Sequence, residues 1–162
     1  LKIDYRPVLL GGIFKAVGNS APANIPAKGK YMFEDIIRYA KRYGLDYDFN
    51  PHFPINTLNL MRGAVGMMGD KRFVDFNDLL FRAFWRDKKN MGDPETVKEV
   101  IEKGGFDFNK IHALSSDQSV KDELKKRTGE AVEKGLFGAP TMFLGDEMYW
   151  GQDRIFMIEE RL

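Results

Sequence analysis

Residues 2–10 read Lys-Ile-Asp-Tyr-Arg-Pro-Val-Leu-Leu. Apolar and polar positions alternate and then give way to a continuous apolar run, which predicts a buried strand with Pro7 near its end. Residues 11–30 carry Gly11, Gly12, Gly18, Pro22, Pro26 and Gly29. They predict a long irregular connection, a length usually reserved for functional loops or crossings between subdomains. From Tyr31 the period changes. Met32, Phe33, Ile36, Ile37, Tyr39 and Ala40 keep helical spacing, and Gly44 is placed to stop the helix. Residues 45–53 predict a short extended piece rich in aromatics.

Asn56 and Thr57 offer caps for a helix through Leu58, Leu60, Met61, Ala64, Val65 and Met68. After Gly69 and Asp70 a longer helix follows, its inner face made of Phe73, Phe76, Leu79, Leu80, Ala83 and Phe84, with Trp85 beside the stripe. Asp93-Pro94-Glu95 starts another helix, with Pro at the first helical position, and Gly104-Gly105 ends it. A short helix over 109–114 and a charged one over 116–134 come next, the latter stopped by Gly135. The pattern then returns to two short strands, before a last helix from Arg154. This order predicts an α/β fold, a β framework interrupted by a run of helices.

The turn into those strands, Phe137-Gly138-Ala139-Pro140-Thr141, holds the most specific chemistry in the chain. Pro cannot donate to a ladder, so it belongs at a strand's first residue or at a bulge. A cis bond there leaves the amide and carbonyl of Ala139 free to face a ligand. The alternative is a plain strand-entry turn. Trp150-Gly151-Gln152-Asp153-Arg154 follows the second strand and opens a helix. Free N–H groups at a helix start favour an anion, and Asp153 serves equally well as an N-cap. Together the two segments predict a site that grips a peptide-like ligand by its backbone.

Composition narrows the chemistry. With 162 residues, 43% of them apolar and 13 of them Phe, the chain can fill the core of one domain. Lys and Arg number 25 against 24 Asp and Glu, so nothing favours nucleic acid or an anionic membrane as partner. The sequence has no Cys, which excludes a disulfide, a thiolate nucleophile or a thiol metal site within these residues. His52 and His112 are its only two His, so a His-rich metal centre is excluded as well. The longest apolar run, 7–14, is too short to span a bilayer, and the start lacks a signal-peptide pattern. These features predict a soluble, cytoplasmic protein. The chain has no initiator Met and opens in mid-pattern, which predicts that its true start is missing.

Gly18-Asn19, the 137–141 turn and the run Met142-Phe143-Leu144-Gly145-Asp146-Glu147-Met148-Tyr149-Trp150-Gly151-Gln152-Asp153-Arg154 resemble the 2-hydroxychromene-2-carboxylate isomerases and the kappa-class glutathione transferases, the isomerases more closely. The resemblance covers essentially the whole chain. It implies a thioredoxin-like sheet with a large all-helical insert, as in DsbA and the kappa transferases, with the first βα unit absent. The insert would span about 31–133, and 1–30 and 134–162 would be the thioredoxin portions. Residues 1–10 would then be the second strand of the sheet.

The resemblance also implies glutathione as the cofactor. Ala139 would offer its amide and carbonyl to the cysteinyl part, with Pro140 enforcing the geometry. Gln152 and Asp153 would hold the γ-glutamyl end, and Trp150, Gly151 and Asn19 would lie near the same ligand. Without the resemblance, Asn19 after Gly18 is a turn residue. Lys15, Asn24 and Phe53 are candidates for the substrate, although the family's Lys aligns with Phe14 rather than Lys15. Lys15 is otherwise a solvated charge, and Trp85 reads as core. The family's catalytic Ser sits at a helix start in a βα unit that would lie upstream of Leu1. Ser20, Ser115, Ser116 and Ser119 are in the wrong places for it, so the chain by itself is expected to be inactive.

The function implied is glutathione-dependent isomerisation, in aromatic degradation, between 2-hydroxychromene-2-carboxylate and an open-chain benzylidenepyruvate-type acid, by a homodimer without metal. A kappa-type transferase or peroxidase, a DsbA-like disulfide oxidoreductase and a non-catalytic fragment are the alternatives.

Overall fold

The computed structural model describes residues 2–162. Among the described residues, eight α-helices and one small hairpin follow along the chain: α1 (Leu10–Val17), α2 (Pro26–Tyr43), α3 (Leu58–Gly66), α4 (Phe73–Trp85), α5 (Pro94–Lys103), α6 (Phe108–Ser116), α7 (Gln118–Glu133) and α8 (Ile155–Glu159), with β1 (Thr141–Leu144) and β2 (Glu147–Trp150) between α7 and α8. The two strands pair antiparallel, Thr141 opposite Trp150 and Leu144 opposite Glu147.

The core lies among α3 to α6. On α4, Phe76, Leu80 and Phe84 recur every four residues and are buried, and they pack with Val100 and Ile101 of α5, Ile111 of α6, and Met67, Met91 and Phe106. Phe76 is fully buried, its ring edge-on to Phe106 at 5.3 Å. Close approach of α3 to α6 depends on small residues. A Cβ at Gly63 would meet the Ile111 methyl at 3.3 Å, and one at Gly66 the Leu114 Cβ at 2.7 Å.

Helix starts follow the acidic caps. Asp93 accepts from the Thr96 amide, Asp107 from the Lys110 amide and Asp117 from the Ser119 and Val120 amides. At α3 the side chain that bonds the first turn is Asn56, which accepts from the Leu58 amide at 3.0 Å, and not Thr57.

The strand expected over 2–10 is not formed. Among the described residues the segment pairs with no other strand. The Leu9 amide donates to the Thr128 hydroxyl of α7 at 3.0 Å instead of to a ladder, and the Leu9 carbonyl accepts from Gly12 and Ile13. The apolar run therefore continues into α1, where Leu10, Ile13, Phe14 and Val17 hold helical spacing and Ile13 is fully buried. The expected irregular connection over 11–30 shrinks accordingly. Gly11 and Gly12 lie inside α1, and α2 begins at Pro26 rather than Tyr31. Gly12 is a contact residue, since a Cβ there would sit 3.1 Å from the Thr128 methyl. The last helix is short, and residues 152–154 form a 3-10 turn ahead of it.

Candidate functional site

The turn ahead of β1 is tied down on both sides. Gly18 ends α1 in the left-handed region at φ 68°, which directs Asn19 toward the hairpin, and the Asn19 Nδ2 donates to the Phe137 carbonyl at 2.8 Å. Its Oδ1 accepts from the Ser20 amide at 2.8 Å, so both ends of the side-chain amide are engaged. The Thr141 hydroxyl donates to the Gly138 carbonyl at 2.8 Å. The Gly151 amide donates to the Pro140 carbonyl at 2.9 Å and extends the hairpin contact by one residue. The Ala139–Pro140 peptide bond is cis, as is Phe53–Pro54.

Trp150 closes one side. Its ring lies 4.9 Å from that of Phe137, and its indole covers Gly138, where a Cβ would come within 2.5 Å of Nε1. Gly138 is buried while Ala139 and Pro140 are exposed. Between these fixed neighbours, the Ala139 amide and carbonyl have no hydrogen-bond partner among the described residues. The amides of Gln152 and Asp153 are equally without acceptors there. Polar main-chain groups left open in an exposed, restrained turn are suited to receiving an extended peptide-like ligand.

Gly151 adopts φ 98° and ψ 148°, a conformation favoured only by Gly, and a Cβ there would collide with the Asp153 carboxylate. Asp153 makes no capping bond to the 3-10 turn and pairs instead with Arg154. The capping role that its sequence position offered is not formed. On the outer strand the Tyr149 hydroxyl donates to Glu147 at 2.7 Å and Arg161 pairs with the same carboxylate. The Tyr149 bond, followed by burial opposing it and the charge of Arg161, holds the Glu147 carboxyl below its usual range.

The structure therefore brings Asn19, Ala139, Pro140, Trp150, Gly151, Gln152 and Asp153 together around one turn. The other candidates are dispersed. Lys15 lies exposed in the last turn of α1 and Asn24 in an exposed 3-10 turn. Phe53 joins an aromatic group away from Trp150, with ring centroids 5.8 Å from Phe33 and 5.6 Å from Trp85. Trp85 packs edge-on to Phe84 at 4.7 Å, in agreement with its reading as core. Next to it the Tyr47 hydroxyl is buried without a partner among the described residues, and burial raises its pKa. His52 is exposed, and its backbone amide donates to the fully buried Asn50. Asn50 also donates to the Phe84 and Lys89 carbonyls at 2.8 and 2.9 Å, which makes it a structural clamp that the sequence pattern does not announce.

Two hydrogen bonds of the site escape sequence reading. Phe137 supplies the carbonyl for Asn19, and Tyr43 at the end of α2 donates to the Gln152 carbonyl at 3.2 Å. A residue 109 positions away leaves no local trace. Gly138 before the turn is the one sequence signal of the close indole contact. No helix among the described residues is long and apolar enough to cross a membrane.

Comparison with known proteins gives the same outline. The family model of the DSBA-like thioredoxin domain matches residues 1–162. The chain is 31% identical to a 2-hydroxychromene-2-carboxylate isomerase of Pseudomonas putida, over 100% of this chain and 80% of that protein. It is 28% identical to glutathione S-transferase kappa 1 of Rattus norvegicus, over 98% of this chain and 76% of that protein. A solved structure of a 2-hydroxychromene-2-carboxylate isomerase superposes with a TM-score of 0.88 at 30% identity, covering 99% of this chain and 79% of that one.

Proposed function

The chain belongs to the DSBA-like thioredoxin domain family, and from that premise we propose that it is a glutathione-dependent isomerase acting on 2-hydroxychromene-2-carboxylate-type acids in aromatic degradation. The observation that carries the reading is the open amide and carbonyl of Ala139, flanked by the open amides of Gln152 and Asp153. A tripeptide fits this set. Its cysteinyl unit would pair antiparallel with Ala139, and the γ-glutamyl carboxylate would accept from the Gln152 and Asp153 amides. The γ-glutamyl ammonium would donate to Asp153. When bound, glutathione would supply a thiol nucleophile, which the chain's own residues lack.

The protein's share is then to bind and to orient. Pro140 and Thr141 hold the Ala139 peptide at the strand entrance, Asn19 fixes the preceding carbonyl, and Trp150 covers the Gly138 side. Lys15, Asn24 and Phe53 are proposed to meet the substrate, and the serine that activates the thiol is proposed to lie outside residues 1–162. The reading extends to a cytoplasmic homodimer. A kappa-type transferase is the second reading, favoured by the 28% identity to the rat protein.

Thermal unfolding with and without glutathione tests the proposal. A ligand at 100 times its Kd adds about 2.7 kcal/mol of stability, and no shift in folded protein removes the reading. A spectrophotometric isomerisation assay set against conjugation of an electrophile separates isomerase from transferase.

A further inference from the structure

We propose that Tyr43 is a positioning residue that aims the Asp153 amide at the γ-glutamyl end of glutathione; this rests on the glutathione reading above. Tyr43 is the last residue of α2, followed by Gly44 at φ 63°. Its hydroxyl donates to the Gln152 carbonyl at 3.2 Å. Among the described residues this is the one hydrogen bond from α2 to the turn. The same carbonyl accepts from the Ile155 amide, so two donors from different elements converge on one oxygen.

That oxygen shares its peptide unit with the Asp153 N–H. The unit is planar, and in a trans peptide its C=O and N–H point in opposite directions. Holding the Gln152 carbonyl from behind therefore fixes the direction of the Asp153 amide in front. A chain of hydrogen bonds also polarises its members, so the phenol makes that amide a stronger donor toward a carboxylate. Packing does not account for the hydroxyl. Tyr43 is 41% exposed, and its ring neighbour is Tyr39 at 6.0 Å, a contact that Phe would keep.

The test compares wild-type protein with Tyr43→Phe, using calorimetric titration of glutathione and a competition titration of cysteinylglycine, the same ligand without its γ-glutamyl unit. Loss of one neutral hydrogen bond corresponds to an affinity change of about five-fold. The expected result is that loss for glutathione and none for cysteinylglycine. Equal glutathione affinity in the two proteins overturns the role of Tyr43 and leaves the glutathione site standing. Equal losses for both ligands overturn it too, because they indicate a general effect on the fold. Failure of wild-type protein to bind glutathione is a different outcome, which removes the glutathione reading and this role together.

Discussion

The Asn19 side-chain amide donates to the Phe137 carbonyl at 2.8 Å across a sequence separation of 118 residues. This bond joins the end of α1 to the turn that presents Ala139. Asn19→Ala leaves the carbonyl to water at an exposed position, and a typical net hydrogen-bond contribution of about 1 kcal/mol sets the expected loss of stability. Glutathione affinity should fall as well, read by titration beside thermal unfolding. Unchanged affinity would mean that the bond does not shape the site.

Gly138 is where the indole of Trp150 needs room. In Gly138→Ala the new methyl falls 2.5 Å from the Trp150 Nε1, and the ring must move off the turn. Overpacking of this kind costs about 1–3 kcal/mol. Tryptophan fluorescence should report the ring in a changed environment, and ligand affinity should drop with it.

Two glycines in helices should respond with opposite signs. Gly66→Ala sets a methyl 2.7 Å from the Leu114 Cβ, which belongs to the rigid stem of its side chain, so α3 and α6 must separate at a cost of about 1–3 kcal/mol. Gly129, on α7, has nothing within 4 Å of a built Cβ. Gly129→Ala should therefore stabilise by about 0.5–1 kcal/mol through helix propensity. Denaturant unfolding of the two variants checks both signs.

Acid should loosen α5 and α7 through their caps. The Asp93 carboxyl is held below its ordinary 3.8 by the Thr96 hydroxyl and amide, and that of Asp117 by the Ser119 hydroxyl and amide. Both titrate lower in the folded chain, so their stabilisation is complete above pH 3.8 and is lost as the pH falls below it. Asp117→Asn keeps an acceptor but no titrating proton. Its stability should depend less steeply on pH in that acid range than the wild type's does, by thermal melts across the range.

The two short strands were legible because their signal is local: a β-rich run entered through Pro140, which cannot donate to a ladder. Helices α3 to α5 were legible from their apolar spacing, joined at α5 by the Asp93 cap. The start of the chain was not. Val8, Leu9 and Leu10 suit a strand and a helix alike, and Gly11-Gly12 reads as a break until Thr128 is seen to need the space beside Gly12. At the site, the turn and its strand companion could be named from sequence. Asn19 acts through a carbonyl 118 residues away and Tyr43 through one 109 residues away, and no window of sequence contains such pairs. Phe53 and Trp85 share one aromatic cluster while Trp150 belongs to another, a division that residue type does not reveal.

The central claim is that the open main chain of Ala139 receives the ligand. The most direct measurement follows backbone amide resonances of isotopically labelled protein during titration with glutathione. The predicted result is a saturable shift of the Ala139, Gln152 and Asp153 amides, with the Trp150 indole N–H moving along the same binding curve. Saturable shifts confined to other residues, or none at all, would contradict it.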